Sequence, residues 1–311
     1  MVDRDHQAVK RALAAVPLLA ACAAHAQGDG ARNYELVPDG TGNFTVFGIY
    51  ARGNQSPNSS TVVQGARIDI YLSVLQYTHA FALAGNQVQL FGMLPFGRVE
   101  GTATVAGRTV SESSSGPGDA TIGAMVGLVG APALSAKEYA EYRPGFTLGA
   151  LGKVYLPTGE YRSSQVLNLG AGRRALQLGA PMVQYFGKSL LDPSLASLEL
   201  TPSVSFFGNN DIPPNATTFK QDPLGKLEGH LTRNIGSAFW ISVDTLYARG
   251  GETITDGVRD GNSQRWLTLG ATAGFAIGQT MSGNISYGKV VRHNAGGLEA
   301  SGWRADAAFA F

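Results

Sequence analysis

From about residue 43 onward the apolar residues of this chain recur at every second position, and the segments carrying that pattern are joined by connections that are alternately short and long. A period of two is the signature of a β-strand, because successive side chains leave opposite faces of the pleat. In the last segment, Trp303, Ala305, Ala307, Phe309 and Phe311 share one face while Arg304, Asp306, Ala308 and Ala310 share the other. Leu198, Leu200, Pro202, Val204 and Phe206 alternate in the same way with Glu199, Thr201, Ser203 and Ser205. Phe239, Ile241 and Val243 alternate with Trp240, Ser242 and Asp244, and Leu227 and Leu231 with Lys226, Glu228, His230 and Thr232. Ile68, Ile70, Leu72 and Val74 alternate with Arg67, Asp69, Tyr71 and Ser73; by the same rule the four aliphatic residues are expected on the apolar outer face.

About 12 such segments can be drawn. They lie near 43–51, 66–83, 87–100, 118–130, 143–156, 173–187, 195–208, 221–233, 236–249, 264–277, 279–292 and 302–311. Most reach the roughly 9–11 residues that a tilted strand needs to cross a bilayer. Tight turns fall at Ala84-Gly85-Asn86, near Asn234-Ile235-Gly236 and near Ile277-Gly278-Gln279. The long connections, 52–65, 101–117, 157–172, 209–220, 250–263 and 293–301, are rich in Gly, Ser, Asn, Asp and Thr, the residues of solvated loops. Two connections on the short side, 131–142 and 188–194, exceed a tight turn, and the first reads as a short helix across the mouth of a barrel.

Short turns at one end and long loops at the other describe an outer-membrane barrel. The reading is an all-β fold: a transmembrane antiparallel up-and-down β-barrel of about 12 strands. A soluble sandwich also alternates and is the competing fold. Against it stand the low share of charged residues, 15%, compared with roughly 25% in ordinary soluble domains, and aromatic rings at strand ends, among them Phe44, Tyr50, Phe96, Tyr155, Phe186, Trp266, Tyr287 and Trp303. Such rings mark the headgroup girdles of barrels. The sheet must close, because an open edge in lipid leaves N–H and C=O groups unsatisfied at several kcal/mol each.

Residues 1–26 read as an export signal, with Lys10 and Arg11 before the apolar run ALAAVPLLAACAA and Ala24-His25-Ala26 as the cleavage site. The rest, 27–311, is the barrel. Leu19-Ala20-Ala21-Cys22 also fits a lipobox, which would make Cys22 a lipidated first residue. Cleavage after Ala26 removes the single Cys, three of 24 basic and two of 23 acidic residues, leaving a net charge of zero. No basic excess remains for nucleic acid. A cysteine framework, a metal site and a cofactor motif are not expected.

By parity the residues facing the pore are Arg67, Asp69, Lys153, Glu199, Lys226, Glu228, His230, Asp244, Arg304 and Asp306. Charges of both signs could brace the lumen and set its field. His230 with Ser242 and Asp244 also offers the residue types of a hydrolase triad. The partners this reading implies are membrane lipid, a small-molecule solute, and the barrel-assembly machinery through the terminal Phe311.

Three stretches carry a resemblance. Gly118-Asp119-Ala120-Thr121-Ile122-Gly123-Ala124, Leu156-Pro157-Thr158-Gly159-Glu160-Tyr161 and Asn168-Leu169-Gly170-Ala171-Gly172-Arg173, with Met93-Leu94-Pro95-Phe96, are similar to segments of the outer-membrane transporter family linked to phenol and aromatic meta-cleavage pathways. The resemblance covers roughly 40–311 and implies a channel for small hydrophobic or aromatic compounds. A structural or adhesive barrel remains the alternative, and a barrel hydrolase a third. Pro157, Gly159, Tyr161, Asn168, Gly170 and Arg173 are the loop-motif positions. They fit either an outward structured loop or one that folds into the lumen.

Overall fold

The computed structural model describes residues 28–55, 62, 65–105, 108–213, 216–277 and 280–311. The expected export signal, Cys22 and the Gly278-Gln279 turn lie outside the described residues.

Seventeen strands and one short helix are described. The first three strands are β1 (Gly42–Gly53), β2 (Arg67–Leu83) and β3 (Asn86–Val105). Next come β4 (Arg108–Pro117), β5 (Thr121–Val129), the helix α1 (Ala136–Glu141) and β6 (Phe146–Tyr155). They are followed by β7 (Ala175–Gly179), β8 (Met182–Phe186), β9 (Ala196–Phe207), β10 (Phe219–Gln221) and β11 (Leu224–Ile235). The chain ends with β12 (Phe239–Gly250), β13 (Thr253–Thr255), β14 (Val258–Arg259), β15 (Gln264–Ile277), β16 (Met281–His293) and β17 (Ala300–Ala310).

The wall is a closed antiparallel barrel of 12 staves. Each stave pairs with its neighbour in sequence, β17 pairs back onto β1, and β9 pairs with β11. Two staves are broken. β4 and β5 succeed each other along β3, separated by Gly118-Asp119-Ala120. β7 and β8 succeed each other along β9, separated by Ala180-Pro181; Pro181 has no N–H to give the ladder. β10, β13 and β14 form a small separate sheet above the loop end. Helix α1 begins with a capping box, in which Ser135 and Glu138 each satisfy the other's backbone N–H.

Outside, the wall is apolar: Val46, Leu75, Leu94, Ile122, Leu231 and Val243 are each more than 40% exposed, as a lipid-facing surface requires. The final Phe311 continues this face and stacks on Phe44 and Phe309 at 5.9 and 6.1 Å. The interior is filled rather than open. Residues 28–41 lead into β1 but lie almost wholly buried within the ring. Leu36, Leu134, Tyr139, Tyr185, Leu190 and Leu195 seal the turn end. Nearer the loops, Trp266 packs with Leu224, Ala248, Val290 and Leu298.

Candidate functional site: a two-walled lumen

The inward faces of the staves form two chemically distinct walls. On β1, β2, β3, β5 and β6 many buried side chains are apolar, among them Phe47, Ile49, Ile70, Leu72, Val74, Phe91, Met93, Met125 and Leu151, while toward the turn end Asn43, Thr45, Gln76, Thr78, Gln87 and Gln89 are buried and polar. On β9, β11, β12, β15, β16 and β17, apart from the apolar cluster around Trp266, they are mostly polar or charged: Glu199, Glu228, His230, Thr272, Ser286, Arg304 and Asp306 are all below a tenth exposed. Lys153 on β6 sits at the seam and is fully buried.

Of the expected pore-facing residues, Lys153, Glu199, Glu228, His230, Arg304 and Asp306 are buried inward. Asp244 is inward and half-buried, and Lys226 is half-buried on the face of Glu228. Arg67 and Asp69 are not inside. They lie on the outer face, where Asp69 accepts from Arg52 at 2.6 Å, Arg67 at 3.2 Å and the Tyr50 hydroxyl at 2.8 Å. Ile68, Ile70, Leu72 and Val74 are the inward set, so the parity of β2 is the reverse of that expected. The cause is depth. Arg67 and Asp69 stand at the loop end of β2, where the outer face meets headgroups and water rather than acyl chains. Deeper on the same strand the usual rule returns, with Leu75 and Tyr77 outward and Gln76 and Thr78 buried.

The segment 28–41 occupies the space between the walls and is bound largely through its backbone. The N–H groups of Asp29 and Gly30 donate to the two carboxylate oxygens of Glu228 at 2.9 and 2.7 Å. The N–H of Arg32 donates to Glu199 at 2.8 Å, and its guanidinium donates to Asn234 and lies 4.6 Å from the Trp240 ring centre. Lys153 and the Tyr34 hydroxyl each donate to Asp29 at 2.5 Å, and Arg304 donates to the Asp29 carbonyl at 3.0 Å. Further along, Val37 N–H donates to Gln87 at 2.8 Å, and Ser197 donates to Glu35 at 3.2 Å. A Cβ on Gly28 would overlap the Glu228 carboxylate, and one on Gly30 the Arg304 guanidinium. Both residues also take left-handed φ angles, +67° and +103°, which glycine adopts without strain. The space left between Gly30, Thr268, Thr272, Ser286 and Arg304 is about 10 Å³, room for about one water.

Titration follows from this packing. Burial pushes the Asp29 carboxyl up, but Lys153 and Tyr34 outweigh it and hold Asp29 below its ordinary value. Glu35 has no such cation in contact, and burial leaves it above its ordinary value despite the pull of Arg32.

The loop between β6 and β7 folds inward. Leu167 and Leu169 join the same cluster as Ile68, Ile70 and Val99. Asn168 is fully buried and bridges the loop, accepting from Arg162 N–H at 2.7 Å and donating to the carbonyls of Arg162 and Gln165. The anchor is Asp119, in the break between β4 and β5, which accepts from the N–H groups of Gly159 and Ala171 at 2.9 and 2.8 Å. Burial raises its pKa in spite of these donors. At Gly159 a Cβ would lie 2.7 Å from the Gly170 Cα, so the two glycines allow the backbones to touch. Pro157 stands just past the end of β6 and cannot extend the ladder. The Tyr161 hydroxyl donates to the Ile212 carbonyl and accepts from Asn210. Arg173 bonds Gln221 and lies 4.8 and 5.0 Å from the rings of Phe207 and Phe219. Burial brings its pKa down to about 10.

A hydrolase triad does not assemble on the residues that suggested one. Both ring nitrogens of His230 face carboxylates, Asp244 at 2.7 Å and Glu228 at 2.9 Å. Ser242 gives its hydroxyl to Asp244 at 2.5 Å instead of to the histidine. The lumenal role of Gly28, Asp29, Arg32, Tyr34 and Glu35 goes unseen in the sequence reading, which begins the fold at the first alternating segment.

A family model described as "Putative MetA-pathway of phenol degradation" matches residues 51–301. Among solved structures, the COG4313 outer membrane channel from Pseudomonas putida F1 is similar, with a TM-score of 0.74 at 19% identity over 90% of this chain and 98% of that one. The β domain of the Bordetella autotransporter BrkA is similar at TM-score 0.51 and 12% identity, over 88% of this chain and 100% of the other. These likenesses show the barrel fold. No curated protein matches the chain.

Proposed function

The chain belongs to the family described as the MetA-pathway of phenol degradation, and on that premise we propose that it is an outer-membrane channel for small apolar solutes, aromatic ones included, held closed by its own residues 28–41. The observation that carries this reading is the apolar wall. A barrel meant only for water and ions has no reason to bury Phe47, Ile49, Ile70, Leu72, Phe91 and Met93 on its inner face, whereas a solute without charge gains by leaving water for such a surface. The polar wall opposite holds much of the closing segment by its backbone, with Gln87 on β3 and Lys153 on β6 adding to the hold.

Export accompanies this reading: removal of residues 1–26 leaves Gln27 next to Gly28, whose own position abuts Glu228. Whether Cys22 is retained and lipidated is decided by the mass of the mature chain. Phe311 is the recognition point for barrel assembly, and the protein acts without catalysis or a cofactor.

The test is solute entry into proteoliposomes. A phenol-class solute should enter faster than a sugar of similar size, and an Ile70→Asn, Leu72→Asn variant should lose that preference. Equal entry of both solutes through the unaltered protein would remove the basis of the proposal.

A further inference from the structure

The outer face carries a second feature that the channel reading does not use. Strand register sets Tyr287, Trp303, Tyr50, Tyr71 and Arg98 in one row across β16, β17, β1, β2 and β3. All point away from the lumen. The rings are in contact in pairs, Tyr287 with Trp303 at 4.7 Å and Tyr50 with Tyr71 at 5.1 Å. One row nearer the loops stand Lys289, Ser301, Arg52, Asp69 and Glu100. One row nearer the turns stand Ile285, Ala305, Gly48, Ser73 and Phe96.

The consequence is a dent in the lipid-facing wall. Ala305, Gly48 and Ser73 are small, while the rings above them and Ile285 and Phe96 at either end are large. Nothing lies within 4 Å of a Cβ built on Gly48. The resulting groove measures about 590 Å³ and is lined by Tyr50, Tyr71, Ser73, Trp303, Ile285 and Arg98, among others. Its upper edge is cationic. Arg98, Arg52, Lys289 and Arg67 are exposed there, against the two acids Asp69 and Glu100. Arg249 and Arg265, directly paired across β12 and β15, are also exposed on the outer face, nearer the loops than the row of Lys289.

We propose that this groove seats a phosphorylated glycolipid of the outer leaflet, with one acyl chain over Gly48 and its phosphate at Arg98, Arg52 and Lys289. Three features on one surface fit one ligand. The slot is apolar and lies at acyl depth. The rings stand at the level where chain gives way to headgroup. The cations stand a strand row higher, where a phosphate would be, and carry more positive than negative charge. Arginine is suited to hold a phosphate by two parallel donors. Arg52 and Arg67 are ion-paired with Asp69 and Arg98 with Glu100, so a phosphate-free lipid would leave the edge with two more cations than acids, and a free phosphate would leave the slot empty.

The test uses the full-length, detergent-purified barrel and native mass spectrometry with purified bisphosphorylated lipid A, the same glycolipid after phosphatase treatment, and phosphatidylglycerol. Bisphosphorylated lipid A should bind at one copy per barrel and at least tenfold more tightly than either competitor. Gly48→Leu fills the slot without touching the lumen, and Arg98→Gln with Lys289→Gln removes cations while keeping the slot; each should weaken binding about tenfold. Heat-modifiable migration of both variants in gels should stay normal, which shows that the barrels are folded. Binding that is equal for the dephosphorylated lipid or for phosphatidylglycerol, or unchanged in both variants, overturns the proposal. Solute entry is the readout of the channel reading and is not expected to change in either variant, so the two proposals fail separately.

Discussion

Lys153 and Asp29 meet at 2.5 Å in the middle of the barrel, 124 residues apart in sequence, with the lysine side chain wholly shielded from solvent. The pair ties β6 to the segment that fills the lumen. Its energetics are one-sided. A paired buried charge is tolerable, but taking one partner away strands the other at a cost of about 3–5 kcal/mol. Lys153→Met should therefore expel the segment, shifting its seating by roughly two to four orders of magnitude. Single-channel recordings should show larger and more frequent openings. Adding Asp29→Asn to the lysine variant should restore part of the closure, because no unpaired charge is then buried.

Closure should also depend on pH, through two carboxyls shifted in opposite directions. Asp29 titrates below its ordinary value when seated, so its contribution is present above that value and disappears as pH falls through the lower, seated one. Glu35 titrates above its ordinary value when seated, so the seated state holds its proton more tightly than the free segment does. Its contribution is full at low pH and is lost as pH rises through the raised value. Closure is then tightest in mild acid, above the ordinary range of Asp29, and loosens toward neutrality. Conductance measured upward from pH 4.5 should rise, and Glu35→Gln should flatten that rise. A flat profile in the unaltered protein would rule out the assignment of Glu35.

The loop motif makes a structural prediction. Asp119 satisfies the backbone N–H groups of Gly159 and Ala171 together. Asp119→Ala leaves both without that acceptor, at about 1–3 kcal/mol for each buried group. The loop between β6 and β7 should then leave the lumen and become a site of protease cleavage, while the barrel itself stays heat-modifiable. Gly159→Val should have the same effect by steric means, since Gly170 leaves no room for a side chain.

The staves were legible in the sequence because lipid outside and water at the loops impose a strict period of two on them. Each of the 12 expected segments falls on a stave, and Trp303 and Phe309 share the outer face, but 101–117, expected as a loop, is strand over 101–105 and 108–117. The short helix expected in 131–142 is present over Ala136–Glu141, and the capping box of Ser135 and Glu138 fixes where it starts. The filling of the lumen was not. Residues 28–41 have no period, because they are held by several staves, β3, β6, β9, β11 and β17. Their tell-tale signs, glycines at 28 and 30 and an acid between them, gain meaning only beside Glu228, Arg304 and Lys153. The reversed parity of Ile68 to Val74 was hidden for a related reason. Period two states that two faces differ, and near the loop end both faces have polar and apolar neighbours.

That reversal leads to the last prediction. If Arg67 and Asp69 lie outside and Arg304 and Glu199 inside, neutralising Arg67 and neutralising Arg304 must have different electrical consequences. Arg67→Gln removes one positive charge from the outer rim, where ions pass at a distance through a screening medium. The ratio of cation to anion permeability should be unchanged. Arg304→Gln alone removes a positive charge from the polar wall and frees the carbonyl of Asp29 from its donor. Selectivity should move toward cations, because Glu199, Glu228, Asp244 and Asp306 then outweigh the cations that remain beside them. Reversal potentials in a salt gradient distinguish the two. A shift from Arg67→Gln equal to that from Arg304→Gln would put β2 back in the register that its sequence suggests and remove the apolar wall on which the solute reading depends.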